Sequence, residues 1–234
     1  RLMGTKQTVK KLDYKKEFPD LYLPKKTPAL VEVPEMVFLE VEGKGNPNTS
    51  EDYAQALELL YGLSYGIKMS LKFGTVPGEL LEGTGIIGDP AVASGNYVVP
   101  PLEGLWWVED ADFDGRNITD KEKFCWFSMI RQPDSITEEV LAWAGEQLSK
   151  KKPGLDVSKA KLVRRAEGLC AQVLHVGPYD DEPETIERLE CFIRDSGYET
   201  DFRDRCHHEI YLGDPRRTAP ERLKTVIRHS VKRA

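Results

Sequence analysis

The chain has 234 residues, enough for one large domain or two small ones with an ample core. Its hydrophobic content of 40% and charged content of 31% are typical of a soluble globular protein. The net charge of −6 argues against nucleic acid as the main partner, because phosphate binding needs a basic surface. No apolar run approaches the roughly 18 residues of a membrane span, so we expect no membrane partner.

The four cysteines are far apart and include no Cys-x-x-Cys pair, which predicts reduced thiols and no structural zinc site. Residues 1–16 are basic and polar, without the apolar stretch of a secretory signal. Residues 83–88 match the glycine spacing of a dinucleotide loop, but no strand–helix–strand unit surrounds them. We therefore expect a cytoplasmic protein that uses no metal and no cofactor.

Residues 1–30 are predicted as an extended arm that packs along the body. Proline disfavours a helix in this segment, and the apolar residues among the prolines would anchor the arm. The prolines are Pro19, Pro24 and Pro28.

Two periodicities predict the elements that follow the arm. Alternating or β-branched runs that stop at Gly, Pro or Asp indicate strands, and capped segments with apolar residues at three- and four-residue steps indicate helices. In chain order they are a strand at 36–42, a helix at 51–73, strands at 97–101, 105–108 and 123–130, a helix at 136–151, a strand at 169–176, a helix at 180–195, and strands at 207–212 and 223–228. The glycine-rich stretch 74–96 is predicted as a connection of the lid or insertion type, and the basic stretch 159–165 as helical or irregular.

The two halves of the chain repeat one pattern. Residues 37–43 lead into a capped helix and then two strands, and residues 172–178 do the same. This pattern predicts an α/β (α+β) fold of duplicated strand–helix–strand–strand units, with pseudo-repeats at about 35–131 and 168–230. The helices would cover one side of two half-sheets, with a central cleft between the halves.

Four segments together resemble the GyrI-like small-molecule-binding family, which is related to the effector domains of bacterial multidrug-sensing transcription regulators. They are Pro-Leu-Glu-Gly-Leu-Trp-Trp at 101–107, Met-Ile-Arg-Gln-Pro-Asp at 129–134, His-Val-Gly-Pro-Tyr-Asp-Asp-Glu-Pro at 175–183, and His-Glu-Ile-Tyr-Leu-Gly-Asp-Pro-Arg-Arg at 208–217. The resemblance implies a single domain over 31–234 of the stand-alone branch, without a DNA-binding domain. Some members of that branch hydrolyse the cyclopropane of DNA-alkylating cyclopropanoid natural products. It also implies an aromatic pocket with an essential glutamate on the penultimate strand, which matches Glu209.

Glu209 is the first candidate catalytic residue. It shares one face of its strand with His207 and Tyr211, because side chains alternate along a strand. A carboxylate in an aromatic cavity would have a raised pKa unless paired, and it would act on a water as general base. The alternative from pattern alone is a solvent-facing glutamate on an exposed strand.

Glu182 is the second catalytic candidate, because two carboxylates near one pocket can divide the work, one binding the water and the other assisting. The alternative is that it only complements the helix dipole, as Asp180 and Asp181 would. Tyr211 is expected either to bond Glu209 or a ligand, or to be a half-buried structural residue. Tyr179 would cover the pocket or pack on its own helix.

Trp107 and Trp126 are the candidate aromatic walls for a flat or cationic ligand. Trp106 and Trp107 point to opposite faces of one strand, so only one of them faces the cleft, and the prediction prefers Trp107. The alternative for each tryptophan is a place in the core. The four histidines lack metal-ligand spacing and are interpreted as structural.

The expected partner is a lipophilic or cationic aromatic small molecule, and the chain is expected to be a monomer or a homodimer. Two functions remain open. Glu209 and Glu182 would hydrolyse cyclopropanoid toxins for self-protection or detoxification, or Glu209 would hold a ligand in a non-catalytic drug-sequestering or sensing module. Gyrase inhibition, which the family name suggests, has no support in the residues.

Overall fold

The structure is a computed structural model that describes residues 9–109, 113–116, 120–202 and 206–234. The first eight residues of the predicted arm therefore lie outside the described residues. No helix within these ranges is both long and apolar enough to cross a membrane.

Seven strands and six α-helices form the described fold. The strands are β1 (Ala29–Lys44), β2 (Leu102–Val108), β3 (Phe124–Arg131), β4 (Ala160–Val176), β5 (Tyr198–Thr200), β6 (His207–Tyr211) and β7 (Lys224–Arg233). The helices are α1 (Tyr14–Glu17), α2 (Pro19–Tyr22), α3 (Glu51–Phe73), α4 (Pro90–Ala93), α5 (Glu138–Lys151) and α6 (Glu182–Asp195).

The seven strands form one antiparallel sheet in the order β4-β1-β3-β2-β6-β7-β5. The long strand β4 also pairs with β7, through residues 170–176, so six of the strands close into a ring. Each of these six strands contributes to an apolar cluster on the inner face of the ring, while α3, α5 and α6 pack against the outer face. One inner residue from each strand, in chain order, is Phe38, Leu105, Met129, Cys170, Ile210 and Val226.

The pairings confirm the duplication. In the first unit β1 and β2 both pair with β3, and in the second β4 and β6 both pair with β7. The units meet through the equivalent pairs β1–β4 and β2–β6. The two halves therefore share one sheet, and the strand that carries Glu209 lies beside β2 rather than across a gap from it.

Local sequence explains the ends of the main helices. The Ser50 hydroxyl accepts a hydrogen bond from the Tyr53 N–H at the start of α3, and the Thr137 hydroxyl caps α5 in the same way. Helix α3 ends at Gly74, whose φ of 64° is the left-handed conformation that glycine adopts most readily. The helix predicted at 136–151 therefore begins two residues later, at Glu138.

The N-terminal segment differs from the predicted extended arm because it contains α1 and α2. Pro19 begins α2 instead of preventing it, since the first position of a helix needs no N–H donor. Tyr14, Leu21 and Tyr22 are buried against the inner cluster of the ring. The division into an arm at 1–30 and a domain at 31–234 remains a prediction.

Three other segments also differ from prediction. Residues 160–165, predicted as helical or irregular, belong to β4, where they pair with β1. Residues 97–101 are not a strand, because Tyr97 makes only an isolated bridge with Leu12. The connection 74–96 packs into the outer core through three buried side chains, Val76, Ile86 and Val92, so it is not a loose lid.

Candidate functional site

The candidate site lies on the outer face of the sheet where β2 of the first unit meets β6 of the second. Alternation along β6 places His207, Glu209 and Tyr211 on this face. Glu209 Oε1 is 2.8 Å from His207 Nε2, and Tyr211 donates its hydroxyl proton to Glu209 Oε2 at 2.5 Å. The Glu209 side chain is only 15% exposed, so the site excludes most water.

A glycine lets β2 contribute to this site. Trp106 lies opposite His207 in the β2–β6 pairing and donates its indole N–H to the Tyr211 hydroxyl at 3.0 Å. A Cβ at Gly104 would be only 2.5 Å from Trp106 Nε1, and Gly104 itself pairs with Glu209. The structure therefore places Trp106, and not the preferred Trp107, beside Tyr211. Trp107 lies on the other face, where its ring is 4.8 Å from that of Phe127.

Glu182 reaches the site from the first turn of α6. Its two acidic neighbours, Asp180 and Asp181, are exposed, whereas Glu182 is only 5% exposed and lies against Glu209. Its environment therefore differs from that of an ordinary acid at a helix N-terminus. The structure brings both predicted catalytic residues together.

The two carboxyl groups are held in different protonation states. Burial raises the pKa of Glu182 well above its ordinary value, and the negative charge of Glu209 beside it raises it further. Burial also disfavours the charged form of Glu209, but hydrogen bonds from His207 and Tyr211 outweigh it and lower the pKa of that carboxyl. The site thus favours the carboxylic acid form of Glu182 beside the carboxylate form of Glu209, the arrangement that separates acid and base roles.

The hydroxyl of Thr225 lies near Glu182 and favours its charged form, without offsetting the burial. Glu182 Oε1 and Thr225 Oγ1 are both buried, and neither makes a hydrogen bond of ordinary geometry within the described part of the chain. Unsatisfied buried oxygens of this kind are positions for a water or a polar ligand group.

Aromatic rings from both units surround the pair of glutamates. Tyr53 of α3 contacts Trp106 with ring centroids 5.9 Å apart, and Tyr179 stands edge-on to Tyr211 at 6.0 Å. Tyr179 is 38% exposed and is therefore the member nearest to solvent. Trp126 is completely buried beneath Tyr53, at 5.0 Å, and supports the site from below.

A chain of hydrogen bonds extends from Glu209 into the second unit. His207 Nδ1 is 2.8 Å from His229 Nε2, and His229 Nδ1 is 2.6 Å from Glu190 Oε1. Thr200 donates to Glu190 from the far side. Sequence reasoning interpreted these histidines as structural. The sequence could have indicated that His207 contacts Glu209, because both lie on one face of the same strand. It could not indicate that His229 and Glu190 continue the chain, because those residues belong to other elements.

Among the described residues, one group could also hold a metal ion. It consists of Glu182, His207 and Glu209, and one ligand atom from each lies within 4.8 Å of the others. In this structure Glu209 instead accepts a hydrogen bond from His207 and interacts with the Glu182 carboxyl. His175 and His208 have separate partners. His175 bonds Thr185 and the Pro178 carbonyl, as expected of a structural histidine.

His208 points into the ring, away from the site. It lies 2.8 Å from Glu103 and 2.7 Å from Glu167, which in turn faces Arg228. Burial lowers the pKa of His208, but the charges and hydrogen bonds of Glu167 and Glu103 together outweigh it and raise the pKa to about 9. His208 and Arg228 together overcome the effect of burial and lower the pKa of Glu167 to about 2. This buried cluster of charges stabilises the interior and does not contact the site.

The sequence matches the family described as GyrI-like small molecule binding domain over residues 26–232. An uncharacterized conserved protein from Listeria innocua is 43% identical, with a TM-score of 0.82, over 95% of this chain and 100% of that one. A hydrolase from Listeria innocua is 42% identical, with a TM-score of 0.80 and the same coverage. The EcmrR C-terminal domain shares the fold, at 12% identity and a TM-score of 0.50 over 89% of this chain and 98% of that one. A search of curated proteins gives no match.

Proposed function

Since the chain belongs to the GyrI-like family of small-molecule-binding domains, we propose that it binds lipophilic aromatic molecules over Glu209 and hydrolyses those with an electrophilic strained ring. The observation that carries this proposal is the buried Glu182, whose pKa is raised, lying against Glu209, whose pKa is lowered, among aromatic side chains. The hydrolase from Listeria innocua, at 42% identity, supports a hydrolytic role.

Glu209 can accept one more hydrogen bond than its protein partners supply. A carboxylate offers about four acceptor positions. His207, Tyr211 and the Glu182 carboxyl use three of them. A water at the fourth would be oriented by Glu209 as general base, towards a substrate held between the aromatic rings.

The proposed substrate is a cyclopropane conjugated to a carbonyl group, as in the cyclopropanoid alkylators. The water oxygen forms a bond to the ring carbon while Glu209 takes its proton. The strained carbon–carbon bond breaks, and its electron pair moves through the conjugated system to the carbonyl oxygen. Glu182 then gives its proton to that oxygen, so the product is the substrate plus one water. Destroying such an alkylator would serve detoxification or self-protection.

Aromatic side chains suit the rest of such a substrate. The faces of Tyr53, Trp106 and Tyr179 favour flat or cationic ligands, and the charge of Glu209 favours a cationic one. The proposed step needs only a water and the chain's own side chains, so we expect hydrolysis to continue in the presence of a chelator.

The test is incubation of the purified protein with a cyclopropanoid alkylator and a chelator, followed by mass spectrometry. The proposal expects the ring-opened product with one added water, and its loss in Glu209→Gln. The matched control is Glu184→Gln, because Glu184 is exposed in the same turn of α6 as Glu182. Stoichiometric binding without product would refute hydrolysis and leave a sequestering or sensing module.

A further inference from the structure

Glu182, His207 and Glu209 converge on one buried point between α6 and β6. One ligand atom from each lies within 4.8 Å of the others. His207 is 1% exposed and Glu182 is 5% exposed, and the Glu209 side chain is mostly buried. Two carboxylates and one imidazole are donors that suit a divalent transition metal such as Zn²⁺.

Hydrogen bonds among the three residues do not use all of their ligand atoms. Glu182 Oε1 is buried and makes no hydrogen bond of ordinary geometry within the described part of the chain. The Thr225 hydroxyl, which lies near this carboxyl, is buried and unbonded in the same sense. A buried carboxylate oxygen is costly without a partner, and a cation is a partner that this oxygen can bind directly.

Two of the candidate ligands are also oriented by other residues, as the ligands of protein metal sites usually are. His207 Nδ1 lies 2.8 Å from His229 Nε2, which leaves His207 Nε2 as the ligand atom. His229 in turn reaches Glu190 Oε1 at 2.6 Å, so the imidazole is tied to a carboxylate through one further ring. Tyr211 donates to Glu209 Oε2, which leaves Oε1 as the ligand atom of that carboxylate.

We propose that Glu182, His207 and Glu209 form a Zn²⁺ site, and that the filled site takes the acid–base pair out of use. The effect on hydrolysis rests on the proposed function, whereas the site itself does not. The proton between His207 Nε2 and Glu209 Oε1 leaves to solvent when the metal binds, because a ligand nitrogen needs its lone pair. Glu182 likewise gives up any proton that it carries. Both carboxylates then bind the ion, so neither can exchange a proton with water or substrate.

The dimensions of the site favour zinc over the hard cations. Zinc binds nitrogen and carboxylate oxygen at about 2.0–2.2 Å in a tetrahedron, so two of its ligand atoms lie roughly 3.3–3.6 Å apart. His207 Nε2 and Glu209 Oε1 are 2.8 Å apart, and no pair of ligand atoms exceeds 4.8 Å, so small side-chain rotations reach that geometry. Ca²⁺ takes about six to eight oxygens and Mg²⁺ keeps several waters, which a buried set with one nitrogen suits poorly.

Isothermal titration calorimetry of chelator-treated protein with zinc chloride tests the site without reference to hydrolysis. We expect one Zn²⁺ per chain. Glu190→Gln keeps an acceptor for His229 but removes the charge, and should weaken Zn²⁺ binding about 10–100-fold. His207→Gln removes a ligand and should weaken binding further. The matched control is Glu184→Gln, which should change nothing, because Glu184 is exposed in the same turn of α6 as Glu182.

Further measurements separate this site from other causes of zinc binding. Circular dichroism shows whether each variant is folded, and Co²⁺ in place of Zn²⁺ should give the visible absorption of a four-coordinate site. Cys191 is a partly exposed thiol that can also bind Zn²⁺. Binding that survives His207→Gln but is lost in Cys191→Ser would overturn the proposal, as would a wild type that binds no Zn²⁺.

The effect of zinc on hydrolysis is measured on the same samples. Zn²⁺ should abolish hydrolysis, and a chelator should restore it. Hydrolysis that rises with Zn²⁺ would overturn the inhibitory effect. One Zn²⁺ bound per chain without any hydrolysis would refute the enzyme alone and leave the metal site standing.

Discussion

Gly104→Ala is the substitution with the most direct structural consequence for the site. The new methyl would lie 2.5 Å from Trp106 Nε1 and 3.2 Å from the Tyr211 hydroxyl. Cβ atoms do not occur at the first of these distances, so the indole must turn away. It would break the 3.0 Å hydrogen bond with Tyr211. It would also leave its positions against Phe124 and Tyr53, whose ring centroids are 5.3 and 5.9 Å away.

The expected cost follows from these contacts. Leaving a buried donor without its partner costs about 1–3 kcal/mol. Each aromatic pair contributes about 0.5–1.5 kcal/mol. Gly104→Ala should therefore reduce the free energy of unfolding by about 2–6 kcal/mol. The hydrolysis rate should fall as well, because Tyr211 would lose the donor that fixes its hydroxyl on Glu209.

Urea unfolding, followed by far-UV circular dichroism and tryptophan fluorescence, measures this cost. Equal m-values would show that variant and wild type expose the same surface on unfolding, so that their free energies can be compared. The matched control is Gly66→Ala in α3, where a Cβ would meet no atom within 4 Å. That change should stabilise the protein by about 0.5–1 kcal/mol, because alanine favours a helix. A Gly104→Ala protein as stable as wild type would refute the packing described for Trp106.

The remaining predictions concern charge. Glu182→Gln should slow hydrolysis by about 100-fold or more while ligand binding persists, because only the proton donor is lost. An unchanged initial rate would contradict that role. Glu167→Gln should cost about 3–5 kcal/mol in urea unfolding, because His208 would lose one of its two carboxylate partners and the buried Arg228 would lose its ion pair with Glu167. In wild type, the contribution of Glu167 is present above about pH 4.5 and is lost as the pH falls towards 2, since its pKa is lowered. The contribution of His208 is present below pH 6.5 and is lost as the pH rises to about 9, since its pKa is raised. The pairing of Glu167 with His208 would be contradicted if the thermal unfolding temperature fell in neither of these two pH ranges.

Local periodicity was enough to predict the repeated units and the face of β6. Alternation placed His207, Glu209 and Tyr211 together, and the resemblance singled out Glu209. The repeated units and the shared face of β6 both depend on residues that are close in sequence, so a sequence pattern is enough to predict them.

Other features depend on contacts between distant residues. The choice of Trp106 over Trp107 follows from the absence of a side chain at Gly104 in a strand pair that sequence did not predict. Glu182 and Asp180 are both acids at the start of a helix, and the sequence does not distinguish them. They differ because Glu182 is buried against β6 and Asp180 is exposed. Likewise, the link from His229 to Glu190 joins β7 to α6 across 39 residues of chain.

The central claim is that Glu209 performs chemistry on a bound lipophilic electrophile, and the molar ratio of hydrolysed product to protein measures it. With a cyclopropanoid alkylator in excess, wild type should form many equivalents of water-added product. Glu209→Gln should still bind the compound and form almost none. Product that never exceeds one equivalent in wild type, or equal turnover in Glu209→Gln, would contradict the claim.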